Sequence, residues 1–112
     1  MRSESRKLLE DMREVAEAIA VFVTGKCLSD FASDALLRSG IYFQFIIIGE
    51  ALSQLRTSDE DTTERISEYW RIIGFRNQIV HGYARIDDEI TWRIVQDKLP
   101  VLRCELERLL RQ

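Results

Sequence analysis

The stretch Leu8-Leu9-Glu10-Asp11-Met12-Arg13-Glu14-Val15-Ala16-Glu17-Ala18-Ile19-Ala20-Val21-Phe22 decides the fold class. Leu8, Met12, Val15, Ile19 and Phe22 recur at steps of four and three, while Glu10, Arg13, Glu14 and Glu17 fall on other faces. An α-helix turns once in about 3.6 residues, so this spacing gathers the apolar side chains into one stripe. A strand would need strict alternation instead. The spacing predicts an amphipathic helix of about five turns. Thr24-Gly25-Lys26 should end it, with Gly25 as a C-cap.

The rest of the chain reads the same way. Ser29 and Asp30 can cap a second helix that runs to about Arg56, with Phe31, Ala35, Phe45, Ile48, Leu52 and Leu55 inward. Tyr42, Ile46 and Ile47 widen its apolar surface almost all round. Such a helix is central or meets a second chain. The polar run Thr57 to Thr63 is expected to be a loop or a helix start, with Ser58 and Asp61 at capping-box spacing. A third helix is expected from about Glu64, carrying Ile66, Tyr69, Trp70, Ile73, Ile79 and Val80, bent at Gly74 and ended at Gly82. Asp87 or Asp88 should cap the last helix, where Val95, Leu99, Leu102, Leu106 and Leu109 again repeat at four and three. Pro100 lacks an N–H and should kink it. Trp70 and Trp92 read as core anchors rather than stacking platforms. Four helices with short connections make a single all-α domain over residues 1–112, an antiparallel four-helix bundle.

Composition bounds the function. The chain has 112 residues, 46% of them hydrophobic and 31% charged. That supports one domain with one real core. No uninterrupted apolar run approaches the roughly 20 residues that span a bilayer. The N-terminus leads into acidic residues rather than an apolar segment, so no signal peptide is expected. Cys27 and Cys104 lie far apart with no CxxC, which fits reduced thiols. The expectation is a soluble cytoplasmic protein.

The net charge is −3 and the pI is near 5.2, which argues against a protein held to nucleic acid by bulk charge. The average hides a pattern. Tyr69 to Ile86 contains no Asp or Glu but carries Arg71, Arg76, Arg85 and the only histidine, His81. Acidic residues crowd both flanks. A local positive strip suits a small anionic site better than a long nucleic-acid track. A helix that faces its neighbours and simply lacks acids would read the same.

A single histidine with two distant cysteines cannot furnish a zinc site, and there is no HExxH, P-loop or GxGxxG. What stands out is Gly74-Phe75-Arg76-Asn77-Gln78-Ile79-Val80-His81-Gly82-Tyr83. Histidine can move a proton near neutral pH, and arginine can hold a phosphate while charge builds on it. Those two roles suffice for cleavage of RNA by its own 2′-OH, with no metal. Asn77 could add a hydrogen bond. On a regular helix, five residues turn about 500°, so Arg76 and His81 point about 140° apart. Three routes bring them together: a helix loosened before Gly82, an Arg76 that reaches round, or a second copy lining the same cleft. The plainer reading makes His81 a C-terminal helix residue and Arg76 a surface ion-pair partner.

Arg76-Asn77, three residues, then His81-Gly82-Tyr83 resembles the RN-x3-H-x-Y signature of the HepT-like branch of the HEPN domains (higher eukaryotes and prokaryotes nucleotide-binding). Ile46-Ile47-Ile48-Gly49-Glu50-Ala51 resembles that branch's second helix. Trp70-Arg71-Ile72-Ile73-Gly74-Phe75 resembles the lead into the motif, with Phe75 where Met is frequent. Ile86-Asp87, Trp92-Arg93-Ile94-Val95 and Leu99-Pro100 resemble its last helix. Gly82 stands where a small acidic or polar residue is usual.

The resemblance implies an all-α homodimer with both Arg–His motifs at a composite cleft. It implies a metal-independent ribonuclease without a cofactor, the toxin of a toxin–antitoxin pair. Its implied antitoxin is a minimal nucleotidyltransferase that attaches AMP to the tyrosine. Carried over, Arg76 and His81 are catalytic, Asn77 supports them, Tyr83 is modified, and RNA is the substrate. The competing reading is a non-catalytic subunit that uses the same residues to bind phosphate in complex with a nucleotidyltransferase. Glu50 could pair with an arginine near the cleft or serve a structural role.

Overall fold

The computed structural model describes all of residues 1–112. Helix α1 spans Ser3–Phe22 and α2 spans Leu28–Ser33. The central helix α3 spans Ala35–Ser58, followed by a single turn, α4, at Glu60–Thr63. Helix α5 runs Tyr69–Gly82 and passes into a 3-10 turn at Tyr83–Arg85. The last helical stretch is α6, Asp88–Arg93, a π segment at Ile94–Lys98, and α7, Leu99–Leu110. No strand is present. The four long helical segments form the expected bundle. α1 packs on α3 and α7, α5 lies along α3, and α2 packs on α3 and α6.

The stripe of α1 is rotated slightly from its expected centre. Leu9, Met12, Ala16 and Ile19 are fully buried, whereas Leu8 and Val15 flank them and Phe22 is partly exposed. α1 sits between α3 and α7, and its one buried stripe faces both. Gly25 adopts φ +74 and makes the turn that leaves α1, a conformation that costs glycine little.

The second expected helix is two helices. Asp34, at φ −113 and ψ 99, is extended and interrupts it. Its carboxylate accepts a hydrogen bond from the Leu37 N–H (3.1 Å), so the break is also the N-cap of α3. The cap of α2 is Cys27, whose N–H donates to Asp30 (2.9 Å), rather than Ser29. Ala35 lies in the first turn of α3 and is exposed. Phe31, Phe45, Ile48, Leu52 and Leu55 are buried as expected.

The polar run after Arg56 is mostly helical. α3 continues through Ser58, and Asp59 caps α4 by accepting from the Thr62 N–H (3.2 Å) and hydroxyl (2.7 Å). Asp59 also accepts from the Ser5 hydroxyl (2.6 Å), which ties α1 to this corner. These bonds, that of Ser5 foremost, hold the Asp59 carboxyl down at about 2. The third helix starts at Tyr69 rather than Glu64, because Glu68 takes a left-handed conformation at φ 52. Gly74 does not interrupt it. Trp70 is 58% exposed and rests edge-on against Tyr69 at 5.3 Å, so it is not a core anchor. Trp92 is half-buried and packs on Phe31 at 5.6 Å.

Asp87 caps α6, accepting from the N–H groups of Glu89 and Ile90. Pro100 acts one turn early. Ahead of it the helix widens to π pairing, with the Leu99 N–H donating to the Ile94 carbonyl. The wider turn absorbs the donor that Pro100 lacks.

By length and composition α3 could cross a membrane, with a mean hydropathy of 1.3 over its most apolar stretch. This departs from the expectation drawn from uninterrupted runs. In the structure α3 is the helix around which the bundle is packed. Cys27 and Cys104 are exposed free thiols.

Candidate functional site

α5 carries the Arg–His segment, and its two faces have different fates. Ile73 and Ile79 are buried against α3. Arg76 falls between them on the same side. Its stem lies where α3 has Gly49. A Cβ at position 49 would overlap the Arg76 Cβ and stand 2.6 Å from its Cγ. Only glycine lets the two helices approach this closely.

The next residue on α3 completes the slot. Arg76 Nη1 donates to the Glu50 carboxylate. The Arg76 side chain is 17% exposed, while Glu50 is 57% exposed. Arg76 Nε is buried and has no hydrogen-bond partner. The arginine therefore has one amino group engaged, one edge sealed and its Nη2 uncommitted. This is the geometry of a guanidinium held in place by a carboxylate that a phosphate could displace.

Asn77 and His81 are exposed on other faces of α5. The helix is continuous through Gly82. Loosening before Gly82 therefore does not bring Arg76 and His81 together. Nor does Arg76 reach round, since it is engaged by Glu50. His81 instead joins Gly82, Tyr83, Ala84 and Arg85 around a shallow recess of about 470 Å³. Arg76 does not line it. Tyr83 lies beyond the helix end, in the 3-10 turn, and is 77% exposed. Its hydroxyl is open to solvent, as a modification site requires. Of the positive strip, Arg71 is paired with Glu68 at 3.7 Å. Arg85 makes no ion pair and is exposed. No cluster of three His, Cys, Asp or Glu side chains is placed to hold a metal ion.

A second recess adjoins the first across Tyr83. It is bounded by α3 residues Ser39 and Phe43 and by Asp88 of α6. Sequence reasoning did not single out these residues as a group. Phe43 looks like any apolar residue of α3, and Asp88 like a helix cap. Nor did it identify Gly49 as the seat of Arg76; the available signal was a glycine inside an otherwise apolar helix, beside the run's one carboxylate.

The comparisons with known proteins agree with one another. The family described as Ribonuclease HepT-like matches residues 12–109. A Thermococcus cleftensis protein named "Probable ribonuclease HepT" is 27% identical over 110 residues, covering 97% of this chain and 98% of that relative. A Methanocaldococcus jannaschii protein, named as a candidate RNase, is 24% identical over 107 residues, covering 95% of this chain and 96% of its own. A Caldanaerobacter subterraneus protein named in the same way is 25% identical over 108 residues, covering 96% and 95%. No solved structure matches the chain.

Proposed function

The chain belongs to the ribonuclease HepT-like family, and on that premise we propose that it is a metal-independent endoribonuclease, the toxin of a prokaryotic toxin–antitoxin pair. The match over residues 12–109 carries the reading. The disposition of Arg76, His81 and Tyr83 is compatible with it.

The substrate's own 2′-OH is the nucleophile. It loses its proton and attacks the adjacent phosphorus, and the bond from phosphorus to the 5′ oxygen breaks. The products are a 2′,3′-cyclic phosphate and a 5′-hydroxyl end. His81 moves the proton. Arg76 leaves Glu50 and meets the charge that builds on the phosphate oxygens. Asn77, exposed one residue on, supports the phosphate. A homodimer brings Arg76 of one copy and His81 of its partner to one cleft.

Control acts through Tyr83. A cognate minimal nucleotidyltransferase adds AMP to its hydroxyl, which is accessible beyond the end of α5. The added phosphate lies beside His81 and Arg85, competes for the positive groups and blocks entry. No cofactor takes part, and the reaction belongs to the cytoplasm, where RNA and antitoxin meet.

One observation favours the second reading, a non-catalytic phosphate-binding subunit of a nucleotidyltransferase complex. Within one chain, Arg76 and His81 line no common recess. The test is purified, unmodified protein incubated with RNA in EDTA, beside Arg76→Ala and His81→Ala. The wild type should cleave, and each variant should lose about 10²–10⁴ in rate with its helical signal intact. Cleavage at the wild-type rate by His81→Ala overturns the proposal.

A further inference from the structure

We infer that the recess between Phe43 and Tyr83 is a nucleobase subsite. It would take the base next to the scissile phosphate and favour adenine and cytosine over uracil. The inference rests on the endoribonuclease reading above.

The recess measures about 410 Å³, within the size range of small-ligand sites. Ile46 and the buried Ile79 contribute apolar walls. Two aromatic side chains stand at its edge with unusual exposure, Phe43 at 58% and Tyr83 at 77%. An aromatic face left in water is a stacking platform for an unpaired base, and single-stranded RNA offers its bases unstacked.

Position argues for the same occupant. Tyr83 lines both this recess and the one that carries His81 and Arg85. The two share that one side chain. A phosphate held at His81 therefore places its neighbouring base beside Phe43.

The polar groups of the recess supply a preference. Asp88 projects a carboxylate into its wall. One oxygen accepts from the Tyr42 hydroxyl at 3.2 Å, and that hydroxyl also meets Thr91 Oγ1 at 3.1 Å. Burial, the largest influence, keeps the Tyr42 phenol above its ordinary range, so it stays protonated and donates. The other Asp88 oxygen has no donor within the chain. A carboxylate only accepts. Adenine N6 and cytosine N4 present amino hydrogens to it, while uracil O4 and guanine O6 are carbonyl oxygens at the corresponding position. Arg38 and Ser39 also line the recess; Arg38 Nη1 is committed to the Phe31 and Ala32 carbonyls, and the Ser39 hydroxyl can donate or accept.

The experiment measures binding rather than cleavage. His81→Ala protein is titrated into fluorescent single-stranded oligoadenylate, oligocytidylate and oligouridylate of equal length. It is compared with the double variants that add Asp88→Asn or Phe43→Leu. Tighter binding of the adenine and cytosine oligomers than of the uracil oligomer is expected, by roughly tenfold. Asp88→Asn should flatten or reverse that order, because an amide can donate to uracil. Phe43→Leu keeps apolar bulk and removes the ring, and should weaken all three by about tenfold, as loss of one stacked base does. Equal affinities in the parent protein, or an order unchanged by Asp88→Asn, overturn the subsite. Light scattering accompanies each titration. A Phe43→Leu protein that dissociates without losing affinity per molecule assigns Phe43 to a contact between copies and also overturns it. Base discrimination in a protein that fails to cleave RNA would sink the nuclease reading but leave the subsite standing. Cleavage without discrimination does the reverse.

Discussion

Gly49 is where α3 yields to the stem of Arg76, and a single methyl group tests whether that seam matters. Gly49→Ala places a Cβ 2.6 Å from Arg76 Cγ. Overpacking of this kind costs about 1–3 kcal/mol, against about 1 kcal/mol gained from helix propensity. A net loss is therefore expected, with Arg76 pushed off Glu50 and RNA cleavage impaired. Gly74→Ala is the control. Nothing lies within 4 Å of its would-be Cβ, so only the propensity gain of about 1 kcal/mol remains. Urea midpoints should move in opposite directions for the two variants. Midpoints that move together would remove the argument from close approach. Tyr83 supports a second prediction at this scale. Tyr83→Phe keeps the ring and removes the acceptor oxygen. It should stay toxic yet escape neutralisation by an active nucleotidyltransferase. Intact-mass spectrometry after co-expression should find AMP on the wild type and none on the variant. AMP on another residue would refute this control.

At the scale of elements, periodicity found every long helix because burial on one face repeats with the helical turn. It could not find the ends. The break at Asp34 sits within a sequence that continues apolar on both sides, and only the cap to Leu37 betrays it. The late start of α5 depends on Glu68 adopting a left-handed conformation that no local residue preference demands. The effect of Pro100 was legible in kind, since a missing N–H must be accommodated somewhere, but not in form. The Glu50–Arg76 pair spans 26 residues of sequence, so spacing alone does not indicate it. The corner at Asp59 gives this scale its prediction. Its carboxyl titrates at about 2, below the ordinary 3.8. A lowered folded-state pKa stabilises the protein fully above the unfolded value, and that contribution is lost as pH falls through the folded one. The stability gap between wild type and Asp59→Asn should be constant above about pH 5 and close between about pH 4 and 2. Urea denaturation of both proteins across that range checks it. A gap independent of pH would mean that the Ser5 and Thr62 bonds do not distinguish the charged form.

At the scale of the whole molecule, the single chain leaves work undone. α3 is apolar enough to serve as a core from more than one side, yet Leu36 is 83% exposed. α5 packs along α3, with Arg76 turned toward the seam and His81 turned out. Arg76 and His81 line no common recess while Glu50 holds the guanidinium and α5 stays regular to Gly82. A second copy can supply the missing partner without bending either helix. Light scattering at micromolar concentration should therefore give twice the 13.1 kDa chain mass. Mass alone does not test the cleft, so mixing does. Arg76→Ala and His81→Ala proteins should each be inactive. Unfolded together and refolded, they form mixed dimers in which one cleft holds an intact arginine from one copy and an intact histidine from the other. RNA cleavage should reappear in the mixture and in neither parent. Mixed dimers that form but stay inactive would overturn a cleft completed by one arginine and one histidine from different copies.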